Sequence, residues 1–219
     1  MWIVALWLAA TAATSAGPAA SAGGVQVVRA KPTVGVVEYQ PGRPPPEMPG
    51  KEPGYCAWNF NCDVQVRYDV TTERRPAGRH AVRVRLKSVT VTLSLASTLY
   101  LPLNASPALR AHEEGHRRIG EHYYSQADNL ARPLAQALVG RTFEGAGDSA
   151  DAAAGDAVQG AINDLSNAIL DGLHAPTERA NTLFDDLTRH GLHKNPTADE
   201  AVRTAIDRTG PATRPANAR

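Results

Sequence analysis

The stretch Ala81-Val82-Arg83-Val84-Arg85-Leu86-Lys87-Ser88-Val89-Thr90-Val91-Thr92-Leu93-Ser94-Leu95 decides the reading of the fold. Val82, Val84 and Leu86 alternate with charged residues on even positions; Val89, Val91, Leu93 and Leu95 alternate with hydroxyl residues on odd positions. Period two means a strand with one buried and one wet face. The change of phase at Lys87-Ser88 predicts a bulge or a tight turn, because a slip of one residue exchanges the two faces. Upstream, Val64, Val66, Tyr68 and Val70 alternate with Asp63, Gln65, Arg67 and Asp69, and Arg75-Pro76-Ala77-Gly78 supplies a turn between the two runs. Val25-Gln26-Val27-Val28 and Val34-Gly35-Val36-Val37 add one or two short strands. These runs predict a small antiparallel sheet of three to five strands ending near Tyr100-Leu101-Pro102.

Downstream the period changes from two to between three and four. Ser106-Pro107 is a helix N-cap followed by proline at the first helical position. Leu109, His112, His116, Ile119, Tyr123, Ala127, Leu130 and Leu134 then recur at helical spacing, and Pro133 is expected to kink or break that helix. Residues 144–156 are small and acidic and read as a loop. A second helix is expected from Val158 to Gly172, and a third from Pro176 with Ala180, Leu183 and Leu187 on its apolar side and Gly191 at its close. The expected fold class is therefore α+β, a small antiparallel sheet followed by a helical half. Residues 193–219 read as a polar, flexible tail with a short helical stretch at 199–206.

The remaining composition bounds the setting. The chain has 219 residues, 42% of them apolar, enough for one packed domain. Its formal net charge is +1 and it has no long basic run, which argues against nucleic acid as a partner. Residues 2–13 are apolar, and Ala20-Ser21-Ala22 offers a small-residue cleavage site, so residues 1–22 read as an export signal removed near Ala22. No Lys or Arg precedes the run, a departure from that pattern. The apolar core is shorter than the roughly 20 residues needed to span a bilayer, so a periplasmic or secreted chain without a lasting membrane span is expected. Cys56 and Cys62 are the two cysteines, and in an exported chain they read as a local disulfide. Residues 23–55 hold the first strands and a Pro-rich segment, 41–54, that cannot form a helix or an inner strand.

Chemistry enters with His112-Glu113-Glu114-Gly115-His116. Histidines four apart share one helical face, so both imidazoles can hold one Zn²⁺. Zinc brings the pKa of a bound water near 7, and Glu113, one step round the helix, can take its proton and pass it to a leaving amine. Gly115 leaves the backbone bare between the two histidines, where a neighbouring strand or a substrate can approach closely. A catalytic zinc needs a third protein ligand. His190 is favoured, as ligand or as a donor to the transition state, because it sits at the edge of the Leu183–Leu187 stripe with Asp186 four residues before it. Asp185, Glu121 and His122 are the alternatives, although Asp185 points outward on a helix phased by Leu183 and Leu187.

The segment 111–121, Ala-His-Glu-Glu-Gly-His-Arg-Arg-Ile-Gly-Glu, resembles the signature helix of a bacterial family catalogued as domain of unknown function 922. Phe184-Asp185-Asp186-Leu187-Thr188-Arg189-His190-Gly191 resembles its second motif, an aromatic-Asp pair followed by Thr-x-His-Gly, with Phe184 where tyrosine is expected. The resemblance covers roughly residues 60–192. It implies a secreted, zincin-like, zinc-dependent protease with its catalytic domain at 56–192. The expected activity is hydrolysis of peptide or protein substrates by a monomer. The alternatives are a zinc-stabilised envelope or binding protein without turnover, and an amidase of cell-wall peptides.

Overall fold

A computed structural model describes residues 24–48, 52–74, 78–193 and 195–212. The export signal expected at residues 1–22 lies outside them. Nine elements follow in order: β1 (Gly24–Arg29), β2 (Thr33–Tyr39), β3 (Tyr55–Arg74), β4 (His80–Pro102), α1 (Pro107–Ser125), α2 (Ala127–Gln136), β5 (Thr142–Gly147), α3 (Ala150–Thr188) and α4 (Ala198–Thr209).

The sheet is built on β4, a single strand of 23 residues. β3 runs antiparallel along one edge, from Tyr55 opposite Tyr100 to Arg74 opposite Ala81. The other edge is shared end to end. β5 pairs antiparallel with residues 80–85, β1 parallel with residues 88–93, and β2 parallel with residues 96–102. This corrects the expected fold class. The sheet is mixed and large, and it does not simply precede a helical half, because β5 returns to it after α2. Alternation within a strand reports which face is buried, not the direction of its neighbours.

The phase change at Lys87 is a bulge. Arg67 lies opposite Ser88 and Tyr68 opposite Leu86, so Lys87 is the extra residue. Val82, Val84 and Leu86 before it and Val89, Val91, Leu93 and Leu95 after it therefore share one buried face. Phe60 and Val64 of β3 join that face, and Tyr124, Ala127, Leu130, Leu165, Ile169 and Leu173 of the helices cover it. Thr90, Thr92, Ser94 and Thr98 line the opposite, partly exposed face.

The helices depart from expectation in several places. α1 starts as read, with Ser106 Oγ accepting from the Leu109 N–H at 3.1 Å. It breaks at Gln126, not in the turn before Pro133, which lies inside α2. The region read as a loop, 144–156, holds most of β5 and the first turns of α3. Its glycines are small because α3 lies against them: a Cβ at Gly145 would meet Ala153 O at 2.2 Å, and one at Gly147 would meet Ala153 N at 2.6 Å. α3 is one helix of 39 residues that passes through Gly172 and Pro176. Both are buried, so packing holds the helix together where proline removes one backbone bond, and at the next position the Thr177 hydroxyl donates to Leu173 O at 2.7 Å. α4 is capped by a reciprocal Thr197–Glu200 box, and its Ala201, Val202 and Ala205 are buried beside Ile119, Ala180 and Phe184. The stretch expected to be a brief helix in a flexible tail is thus a packed element.

The expected disulfide is absent. Cys56 and Cys62 are free, on the same unbroken length of β3, opposite Leu99 and Leu93. Six residues of extended strand separate them by roughly 20 Å, far beyond disulfide reach. No helix among the described residues is long and apolar enough to cross a membrane.

Candidate metal centre

The loop of residues 103–106 is short, so α1 begins directly over the end of β4, and its inner face carries His112, Glu113, Gly115, Ile119 and Gly120. His112 and Glu113 are 4% and 3% exposed. α3 crosses α1 at its C-terminal end and brings Asp185 to the two histidines. Asp185 Oδ1 lies 3.2 Å from His112 Nε2 and 3.0 Å from His116 Nε2, and the two Nε2 atoms are 3.2 Å apart. Among the described residues these three form a group able to hold a metal ion.

The surroundings fix which nitrogen each ring presents. Asn181 Nδ2 donates to Thr177 O at 3.0 Å, which leaves its Oδ1 to accept from His116 Nδ1–H at 2.7 Å. The Thr188 hydroxyl donates to Phe184 O at 2.8 Å, so its oxygen accepts from His112 Nδ1–H at 3.3 Å. This network assigns the proton of each neutral imidazole to Nδ1 and points both Nε2 lone pairs at Asp185. Three acceptors then converge with no donor among them, and Asp185 Oδ1 is a buried oxygen without a hydrogen-bond partner. A cation resolves that conflict. Four ligands at about 2.0–2.1 Å in a tetrahedron stand roughly 3.3–3.4 Å apart. The observed separations of 3.0–3.2 Å therefore match one face of such a site with slight closure.

Phe184 packs the histidines from behind. Its ring stacks on His112 at 4.9 Å and meets His116 edge-on at 5.0 Å. Gly115 makes room for it: a Cβ there would lie 2.3 Å from Phe184 Cζ. What fills the space at Gly115 is thus an aromatic ring from α3 and not the strand or substrate expected there, in a contact that needs no hydroxyl at position 184. Beyond Thr188 the chain makes a left-handed turn, with Arg189 at φ 46°, His190 at φ 52° and Gly191 at φ 76°. Gly191 fits both that φ and the space, since a Cβ would stand 3.1 Å from His112 Cβ.

The protonation balance follows from burial and neighbours. Burial opposes ionisation of Asp185, but the two imidazoles hold its carboxyl well below the ordinary range. Burial likewise opposes the His116 cation, yet Asp185 and Asn181 raise its pKa overall. Without a metal, a proton fills the same role. Glu113 differs. Burial pushes its carboxyl up to about 7, with His116 pulling the other way and Asp185 and Glu52 reinforcing the rise.

The structure sorts the residues singled out by the sequence. His112, Glu113 and His116 lie together, and Asp185, not His190, completes the group. His190 is half exposed; its Nδ1 is 3.8 Å from Asp185 Oδ1 and 3.2 Å from Glu52 Oε1. Glu121 pairs with Arg117 and His122 bonds Gln126, so neither faces the group. Asn181 is not singled out by the sequence and Thr188 enters only as part of the second motif with no role, although positions 177, 181, 184, 185 and 188 share one helical face. Leu183 and Leu187 set the wrong phase because they pack toward α4. Comparison with known protein families, with curated proteins and with solved structures finds no match for this chain.

Proposed function

We propose that this chain is a zinc-dependent hydrolase of peptide bonds, with His112, His116 and Asp185 as its metal ligands and Glu113 as its proton carrier. The observation that carries the reading is the convergence of two imidazole lone pairs and one unpartnered carboxylate oxygen within 3.2 Å. Two imidazoles and one carboxylate are a donor set suited to zinc, and three protein ligands leave a position for substrate or water. When bound, zinc supplies a Lewis acid that makes hydroxide available near neutral pH and polarises a carbonyl.

The protein's own groups do the rest. Thr188 and Asn181 hold the imidazoles in the tautomer that ligation requires. Glu113 follows a ligand directly in sequence, and its carboxyl, raised to about 7, can both accept a proton from water and return it to a leaving amine. The apolar leader at residues 2–13 and the paired motifs at 112–116 and 184–191 support an exported peptidase. The test is zinc stoichiometry on the purified chain, with turnover of a peptide library by wild type and Glu113→Gln. One zinc per chain in both, with turnover in the wild type and a loss of at least a hundredfold in the variant, is expected. Equal turnover in both would reject Glu113, and no bound zinc would reject the reading.

A further inference from the structure

Glu113, which has to meet water and substrate, is 97% shielded, and part of that cover is a short piece of chain that is not helix or strand. Gly54, just before β3, is buried against it. A Cβ at Gly54 would stand 2.5 Å from Glu113 Oε1 and 2.9 Å from Leu109 Cδ1. The two residues before Gly54 are exposed and tethered by side chains from elsewhere. The Tyr39 hydroxyl donates to Pro53 O at 2.5 Å, and Glu52 Oε1 lies 3.2 Å from His190 Nδ1. One tether comes from the end of β2 and the other from the left-handed turn that follows Asp185.

We propose that Glu52-Pro53-Gly54 is a strap closed over the metal centre, which lifts to admit substrate and is latched by Tyr39 and His190. The inference rests on the hydrolase reading above for its purpose, but not for its geometry. The latches suit a moving part. One is a single hydrogen bond, and the other is a 3.2 Å imidazole–carboxylate contact between half-exposed groups, which is worth little in water. Gly54 supplies the absence of a side chain that lets backbone close directly onto the carboxylate. The left-handed backbone at His190 aims the second latch across the ligand Asp185 toward the strap.

Cys56 offers a readout that needs no metal. It is 5% exposed, two residues beyond Gly54, and packs with Leu109, which Gly54 also touches. In a Cys62→Ser background, with metal chelated, its labelling by a thiol reagent reports opening of the strap. Removing both latches in Tyr39→Phe/Glu52→Ala is expected to speed labelling about tenfold while lowering Tm by no more than a few degrees. Gly54→Ala, which props the strap from beneath, is expected to act in the same direction. With zinc present, entry and chelator-driven release should both accelerate while Kd stays fixed, as for a gate and not a ligand. Equal labelling rates in all three proteins, or an equal rise in Val202→Ala, a variant in the core of α4 with a comparable fall in Tm, overturn the strap. Failure of the wild type to bind zinc rejects the hydrolase reading instead, and the labelling rates still judge the strap.

Discussion

Through one oxygen, Oδ1, which also has the His190 ring 3.8 Å away, Asp185 joins the two histidines. Replacing it with asparagine leaves two imidazoles and a neutral amide, so zinc affinity measured by calorimetry is expected to fall at least a hundredfold. Asn181→Ala and Thr188→Ala touch no metal. They free the rings and their tautomers, and each is expected to weaken binding by about 10–100-fold. His190→Ala is expected to leave zinc affinity within a few fold of wild type, because that ring faces Glu52. Glu113 makes a further prediction at this scale. Its carboxyl stands near 7 in the fold against an ordinary value of 4.5, so the folded state holds its proton more tightly than the unfolded state. The sign is therefore a loss of stability as pH rises from 4.5 through 7. The metal-free Glu113→Gln variant lacks that loss. It should match wild type at pH 4 and exceed it at pH 8 by at most roughly 3 kcal/mol in urea unfolding, the equivalent of the shift.

At the scale of elements, the meeting of α1 and α3 depends on a missing side chain. Gly115 admits the Phe184 ring, and a methyl group there would force α3 from α1. Gly115→Ala is expected to cost about 1–3 kcal/mol, the usual range for overpacking, and to reduce zinc affinity with it, because Asp185 follows Phe184 directly. The strands carry a separate prediction. Cys56 and Cys62 are held apart by an extended backbone, so both should alkylate in the unfolded chain without prior reduction, adding two labels by mass. The helix readings went astray for a related reason. Gly172 and Pro176 are poor helix residues in isolation, but both are buried where α3 packs. Gly145 and Gly147 likewise resemble loop residues until the backbone of α3 is seen lying on them.

For the whole molecule, the proposed ligands come from two helices that lie at opposite ends of a long connection, with α2, β5 and most of α3 between them. An ion held there would tie that connection shut and so would stabilise the folded chain by mass action. At a thousandfold excess of zinc over Kd the gain is about 4 kcal/mol, or roughly 8–16 °C in Tm for a domain of this size, and a chelator should remove it in a thermal scan. An unchanged Tm would mean that the ion does not bridge α1 and α3.

The sequence by itself determined the local features. The alternation through Val82 to Leu95 required extended chain with a bulge or a tight turn at Lys87-Ser88, Ser106-Pro107 required a helix start, and the spacing of His112 and His116 required one shared helical face. Each depends only on backbone period and on neighbours within a turn. Tertiary structure alone decided the direction of β1 and β2 beside β4, the continuity of α3 through Gly172 and Pro176, and the choice of Asp185 over His190. Those outcomes depend on which surfaces meet. α4 covers Leu183 and Leu187, α1 receives Phe184, and only when both contacts form does the carboxylate of α3 turn toward the imidazoles of α1.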